Sequence, residues 1–293
     1  MSVILTTKLH IPPLRSSIVP RPRLVAKLNA GLPGKLTLVS APAGYGKTTL
    51  VAEWLAGLAD SAPRRAGPQS SQRPAPGPSS VMQETGGGLA PGEPQAMKVA
   101  WLSLDEGDND PVRFLTHLVA ALRQVDQTLG ETALSMLKAP QPPPSQAVIT
   151  ALINELASLS TRFVFAFDDY HVIHVVEIHE QLGFLVEHHP SQMHLVVITR
   201  EDPFGLPLAR LRARGQMVEI RQKDLRFSLE ECADFLYRVM GLDLSPPDIA
   251  ALESRTEGWI AGLQLAALSM QGREDLPGFI EAFTGSSHYV LIT

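Results

Sequence analysis

The feature that most constrains this chain is the stretch KLTLVSAPAGYGKTTL at residues 35–50. Its apolar opening, 36–39, predicts a buried strand, and the run 50–58 predicts an amphipathic helix. Glycines between them let the backbone wrap an anion with its N–H groups pointing inward, and the helix N-terminus adds positive potential. This is the layout of a phosphate-binding P-loop, in which Lys47 reaches the β- and γ-phosphates and Thr48 offers a hydroxyl to Mg²⁺. The residues expected to contact the nucleotide are Ala43, Gly44, Tyr45, Gly46, Lys47, Thr48 and Thr49.

The stretch departs from the usual pattern G-x-x-x-x-G-K-[ST] at its first position, where this chain has Ala41. A glycine is needed there if the backbone has positive φ or is crowded, so the departure weakens the bare pattern. The strand before the loop and the helix after it favour the P-loop over an ordinary strand-to-helix turn that carries GKT by chance.

A second stretch with phosphate chemistry is RFVFAFDDYH at residues 162–171. The continuous apolar run 163–167 predicts a strand of a parallel sheet, buried on both faces. Ligands of open α/β sheets bind at the carboxyl ends of the strands, where Asp168 and Asp169 fall. Asp168 is therefore expected to join Thr48 in holding Mg²⁺, and Asp169 to orient a water for attack on the γ-phosphate. The alternative is that both aspartates merely end a strand.

Two further strands complete the expected sheet. Residues 194–198 predict a fourth strand, ending in Thr199 and Arg200, and residues 216–220 predict a short fifth one. Thr199 and Arg200 could sense the γ-phosphate, while the alternative for Arg200 is a salt bridge at the strand end. With a strand at 99–104, the alternation of strands and helices predicts an α/β fold with a five-stranded, mainly parallel sheet between helices.

The segments around this sheet give the expected organisation. Residues 1–34 form an approach segment whose Pro-rich elbow carries Arg21 and Arg23, either solvated or beside the nucleotide. Residues 35–226 form the nucleotide domain. It is interrupted at 59–95 by a stretch rich in Pro, Gly and Ser that we expect to be a disordered insertion. From residue 227 to residue 293 the strands stop, and capping signals and apolar runs predict a small all-helical domain.

Composition limits the classes of function and the cellular location that we expect. The net charge of -5 gives no overall basic footprint for nucleic acid, and no apolar run approaches the roughly 18 residues of a membrane span. The single cysteine, Cys232, favours a reducing compartment and a small buried side chain. Without a signal-peptide pattern, we expect a cytoplasmic protein. The acidic turn at 105–110 suits helix capping better than a metal site.

The sequence resembles the ATP-binding core of the large LuxR-type, MalT-like transcriptional regulators, which are signal-transduction ATPases related to NB-ARC and NACHT proteins. The resemblance rests on stretches in a fixed order that together cover nearly the whole chain outside 59–95. They are SAPAGYGKTTL, WLSLDEGDNDPVRFL, FAFDDYH, ITREDPFGLPLARLRARGQ, DLRFSLEE and EGWIAGLQLAALSM.

The resemblance implies ATP and Mg²⁺ as cofactors, with Lys47 and Thr48 on phosphate and metal, Asp168 as the Walker B carboxylate and Arg200 as a sensor. Gln264 replaces the proline of the related GLPL motif, which puts the adenine contact expected there in doubt. The family also implies self-association of an ATP-bound full-length form. Regulators of this kind continue into sensor and helix-turn-helix domains, which are not visible here, so we expect either a fragment or a truncated gene product, without a DNA-binding domain.

Two functions follow as hypotheses. One is a nucleotide-operated switch that binds Mg-ATP or ADP and hydrolyses ATP slowly. The other is an active P-loop ATPase or small-molecule kinase, which would usually carry arginines on a lid over the phosphates. The helical segment offers mainly Arg238 and Arg255 for that purpose, and this scarcity favours the switch.

Overall fold

A computed structural model describes residues 4–14, 17–60, 97–273 and 275–283 of the chain. Within these residues, five strands form one parallel sheet in the order β2-β3-β4-β1-β5. The expected α/β sheet is therefore confirmed. The strands are β1 (Leu36–Ser40), β2 (Lys98–Ser103), β3 (Phe163–Asp168), β4 (Met193–Thr199) and β5 (Met217–Arg221).

Helices lie before, between and after the strands. The last strand is followed by helices only, as far as residue 282. Helix α9 continues into a π-helical turn, Phe235–Val239. The helices are α1 (Pro22–Gly31), α2 (Lys47–Asp60), α3 (Pro111–Leu122), α4 (Glu131–Leu137), α5 (Ser145–Ala157), α6 (Val176–His188), α7 (Leu208–Ala213), α8 (Gln222–Leu225), α9 (Leu229–Asp234), α10 (Pro246–Thr256), α11 (Ile260–Met270) and α12 (Leu276–Ala282).

The three central strands, β1, β3 and β4, are buried on both faces, as their continuous apolar runs predict. Along β3, the odd-numbered phenylalanines Phe163, Phe165 and Phe167 belong to one core cluster, and Val164 and Ala166 belong to the cluster on the opposite face. This division follows from the two-residue period of a strand. A third cluster is formed by α9–α12 and the π-helical turn, together with Phe227 and with Val19 of the approach segment.

Local signals in the sequence set several helix starts. Asp110 caps α3 through the backbone N–H of Arg113 at 2.7 Å, and Pro111 occupies the first turn. Ser228 and Glu231 form the expected capping box at the start of α9.

The acidic turn before α3 caps helices, as predicted, and it also forms ion pairs. Asp108 is buried and pairs with Lys8 and with Nδ1 of His117. In the part of the chain that the structure describes, no cluster of three or more His, Cys, Asp or Glu side chains is arranged to hold a metal ion.

Two other expectations concern single segments. Helix α2 extends to Asp60, so the first two residues of the expected insertion at 59–95 are helical; the rest of that insertion lies outside the described residues. Cys232 is fully buried, as expected. None of the helices in the described ranges is long and apolar enough to span a membrane.

Candidate functional site

The loop between β1 and α2 has the backbone of an anion-binding loop. Gly44 has φ +81° and Gly46 has φ +73°, conformations that favour glycine. Ala41 is different, because it is buried, is not among the described residues with positive φ, and donates its N–H to the carbonyl of Thr199 at 3.3 Å. The first position of the pattern therefore continues the β1–β4 ladder, and the geometry at Ala41 does not require a glycine.

Lys47 folds back over this loop. Its side chain is 8% exposed and Nζ donates to the carbonyl of Pro42 at 2.9 Å. Among the described residues it has no carboxylate within salt-bridge distance. Burial lowers the pKa of Lys47, and the positive charge of Arg200 lowers it further. A buried ammonium without a counterion is an environment that favours a bound anion.

Thr48 and Asp168 meet beside the loop. Thr48 Oγ1 donates to Asp168 Oδ1 at 2.9 Å, and the same oxygen accepts the backbone N–H of Asp169 at 3.0 Å. Asp168 is 3% exposed, and burial, helped by the negative charge of Asp169, raises its pKa to about 6. A hydroxyl and a carboxylate are hard oxygen ligands of the kind Mg²⁺ takes, so this pair fits that ion.

Asp169 lies just beyond the strand and has a left-handed backbone, with φ +55° and ψ +36°. Its side chain is 52% exposed, and Oδ1 lies 3.8 Å from Nδ1 of His171. The alternation of side chains along a strand therefore ends at Asp168, and the two carboxylates are not forced to opposite faces. His171 was not identified from the sequence, although its position two residues after the aspartate pair is a local signal.

Two side chains at the end of β4, those of Thr199 and Arg200, lie in different environments. Thr199 is 1% exposed and its Oγ1 has no hydrogen-bond partner within the described ranges. Arg200 is exposed and makes no salt bridge with any described residue, so the alternative of a strand-end ion pair is not observed. Thr199 pairs in register with Ser40 of β1, so its backbone lies at the edge of the sheet where the P-loop begins.

A cleft of about 260 Å³ continues from the loop. Its walls come from three parts of the chain: the approach segment, the first turns of α2 and the helices after β5. Residues that line it include Ser17, Ile18, Arg21, Gly44, Gly46, Thr49, Glu53, Ile260, Ala261 and Gln264.

The two arginines of the elbow have different positions. Arg21 lines the cleft, but its guanidinium donates to Glu231 at 2.9 and 3.0 Å and to the carbonyl of Leu225 at 2.8 Å. It also lies over the ring of Phe227, 4.9 Å from the centroid. Arg23 is exposed and donates to the carbonyl of Asp224 at 3.0 Å. Both arginines therefore hold the elbow against the segment 224–231. They are not a pair of charges that contacts only solvent.

No protein-family model matches this chain, but it has relatives among known proteins. It is 33% identical over 274 residues to the serine/threonine-protein kinase PknK of Mycobacterium tuberculosis strain H37Rv, covering 94% of this chain and 22% of PknK. It is 31% identical over 267 residues to the HTH-type transcriptional regulator MalT of Klebsiella pneumoniae strain 342, covering 91% of this chain and 25% of MalT. The chain thus spans about a quarter or less of these relatives.

Two solved structures share the fold at 14% identity. A signal transduction ATPase with numerous domains (STAND) and a tetratricopeptide repeat sensor, from Pyrococcus horikoshii, matches with a TM-score of 0.57 over 93% of this chain and 33% of its own. A Walker-type ATPase of Pyrococcus abyssi matches with a TM-score of 0.50 over 92% and 72%.

The parallel sheet, its strand order and the loop after β1 define a P-loop NTPase fold, the class to which the matching solved structures belong. Within that class the resemblance to the MalT-like regulators is confirmed, because the chain is homologous to one region of MalT.

Proposed function

We propose that this chain is the ATP-binding switch module of a MalT-like signal-transduction ATPase, which binds Mg-ATP or ADP and hydrolyses ATP slowly. The observation that carries the proposal is that the cleft continues from a loop that also holds Lys47 and the Thr48–Asp168 pair. The loop suits a phosphate chain, and the cleft that continues from it has room for a nucleoside.

Each residue near the loop has a proposed role. The N–H groups of Gly44 and Gly46 and the ammonium of Lys47 would bind the phosphates, while Thr48 and Asp168 would hold Mg²⁺. When bound, Mg²⁺ neutralises phosphate charge. Asp169 would orient the attacking water.

The end of β4 would sense the γ-phosphate. We assign this to the unpaired hydroxyl of Thr199 together with the cation of Arg200. Thr199 has an unsatisfied polar atom, which a phosphate oxygen or an ordered water would satisfy. Arg200 is free of ion pairs within the described chain and acts on Lys47 through its charge.

Slow hydrolysis is favoured over rapid turnover or a small-molecule kinase because no arginine of the described helical segment, 227–283, lines the cleft. Arg238 and Arg255 do not line the cleft. Arg21 lines it, but its donors are engaged by Glu231 and backbone carbonyls.

The proposal extends to the organisation of the chain. We assign 1–34 to the approach segment, 35–226 to the nucleotide domain and 227–293 to a helical domain that closes the cleft. A cytoplasmic location, and self-association of a longer ATP-bound form, follow from the same proposal.

The test is ATP titration of the full chain by calorimetry, with Mg²⁺ and with EDTA, followed by steady-state phosphate release. We expect Mg²⁺-dependent binding and turnover far below the roughly 1 s⁻¹ lower end of ordinary enzymes. A folded chain that binds no ATP would refute the proposal, and turnover above that rate would favour the enzyme.

A further inference from the structure

Helix α2 carries side chains from the loop into the cleft. Thr49 and Glu53 both line it and are four residues apart, so they lie on the same face of the helix. At 1.5 Å per residue, Glu53 is about 6 Å further from the phosphate end than Thr49. A nucleotide whose phosphates occupy the loop would therefore have its outer end, the base, near Glu53.

Glu53 is the one carboxylate that lines this cleft among the described residues. Its carboxylate has no hydrogen bond or ion pair with any described residue. Burial raises its pKa, and the charge of Arg21 opposes this without a direct bond. Arg21 is the cationic side chain on the same walls, and its hydrogen bonds go to Glu231 and to carbonyls of 224–226.

The remaining walls include three residues with side-chain donors, Ser17, Thr49 and Gln264, and none of them forms a hydrogen bond with the Glu53 carboxylate. The apolar lining includes Leu50, Phe235, Val239 and Ile260. Such surfaces suit a flat aromatic base, and a half-buried carboxylate at its edge requires a hydrogen-bond donor. A carboxylate accepts but does not donate when ionised. At the 6-position of a purine it can therefore accept from an amino group but not bond a keto oxygen.

We propose that Glu53 selects the base, accepting a hydrogen bond from an exocyclic amino group, so that the cleft prefers a 6-aminopurine to a 6-oxopurine. The inference rests on the proposed function, since it requires a nucleotide with its phosphates in the loop. It adds a specificity-determining residue on α2 to a site otherwise defined by phosphate and metal contacts.

The experiment is a set of calorimetric titrations of the full chain with ATP, ITP and purine riboside triphosphate, which lacks any 6-substituent. In the unsubstituted chain, ATP should bind at least about tenfold more tightly than purine riboside triphosphate, because a hydrogen bond to a charged group is lost. In Glu53→Ala this ratio should fall to about one. In Glu53→Gln, ITP should gain relative to ATP, because the carboxamide can donate to a 6-keto oxygen.

Comparing ligands on the same variant separates selectivity from general effects on folding. Glu180→Gln, a charge removal on an exposed residue outside this cleft, is the matched control and should leave all ratios unchanged. An unchanged ratio of ATP to purine riboside triphosphate in Glu53→Ala overturns the inference. The inference is also overturned if Glu53→Ala changes only the ratio of ATP affinity to 2′-deoxy- or 3′-deoxy-ATP affinity, because Glu53 would then contact the ribose. Failure of every triphosphate to bind the unsubstituted chain would instead refute the proposed function, and this inference with it.

Discussion

The indole N–H of Trp259 donates to the carbonyl of Ala43 at 3.0 Å, which joins the start of α11 to the P-loop. One residue further along the loop, the carbonyl of Gly44 accepts the backbone N–H of Ala261, also at 3.0 Å. Two consecutive loop carbonyls are thus held on the helical side.

Trp259→Phe is expected to weaken ATP binding and to lower the free energy of unfolding by about 1 kcal/mol, because the carbonyl of Ala43 loses its donor while an aromatic side chain is kept. Trp54→Phe is the control, since Trp54 makes a similar bond, at 2.8 Å, to Asn29 away from the loop. Urea unfolding and ATP titration of both variants check this. Equal ATP affinity in the two would show that the bond is structural only.

Gly44→Ala should be strongly destabilising. A Cβ at this position would lie 2.5 Å from Cβ of Ala261 and 2.7 Å from Nε1 of Trp259, in addition to the strain of positive φ. Gly215→Ala separates these effects, because Gly215 has φ +62° but open space around it. We expect about 1–2 kcal/mol for Gly215→Ala, from the left-handed backbone alone, and a clearly larger loss for Gly44→Ala in thermal or urea unfolding. Similar losses would indicate that α11 moves aside easily.

Lys47→Ala should reduce ATP affinity at least about tenfold, the equivalent of one charge-assisted hydrogen bond. The fold should persist, because burial already disfavours the charge of Lys47 and its removal relieves that cost. Lys223→Ala, on an exposed residue of α8, is the control. Undiminished ATP affinity in folded Lys47→Ala would rule out the phosphate role of the loop.

Asp168→Asn and Asp169→Asn should have different effects. Asp168→Asn should weaken Mg²⁺-dependent ATP binding, because it removes the charge that would hold the metal beside Thr48. Asp169→Asn should leave ATP bound and stop its hydrolysis. The measurements are ATP affinity with and without Mg²⁺ and single-turnover hydrolysis. Hydrolysis at the unsubstituted rate in Asp169→Asn would exclude water positioning, and full Mg-ATP affinity in Asp168→Asn would exclude the metal role.

His189, at the end of α6, should make the fold acid-sensitive. Burial lowers its pKa to about 4, while the unfolded chain has the ordinary value of 6.5. Between these values the unfolded state binds the additional proton, so stability rises with pH and is lost as pH falls from 6.5 towards 4. The limit is about 3 kcal/mol at 1.36 kcal/mol per pH unit. His189→Gln should flatten this part of the curve in urea unfolding at pH 4.5, 5.5 and 7, and an unchanged slope would assign the acid sensitivity to other groups.

The strands and helix caps were predictable because their causes are local. Continuous apolar runs specify β1, β3 and β4, and single residues such as Asp110 and Ser228 fix helix starts. Helix α6 was not predicted. It buries His179 and Gln181 among its apolar residues, which interrupts the apolar stripe in the sequence. The burial of His179 is explained by its hydrogen bond to the hydroxyl of Tyr170, a partner that lies outside the helix.

The phosphate end of the candidate site was also local in sequence, whereas its other walls were not. The GKT stretch shows the loop, but nothing near Arg21 indicates that Glu231 would engage its guanidinium. Likewise, the cleft position of Glu53 depends on α11 and on the approach segment. Helical spacing along α2 cannot distinguish this position from an exposed one.

The bond between Trp259 and Ala43 joins residues 216 positions apart, and the bonds between Arg21 and Glu231 span 210. Contacts of such sequence separation form late in folding, since the entropy of closing the intervening chain is lost before they contribute. During synthesis, the phosphate loop would emerge long before the helix that orients its carbonyls. Nucleotide binding would then begin only near the end of folding, so that a bound nucleotide would also report that both parts of the chain have assembled.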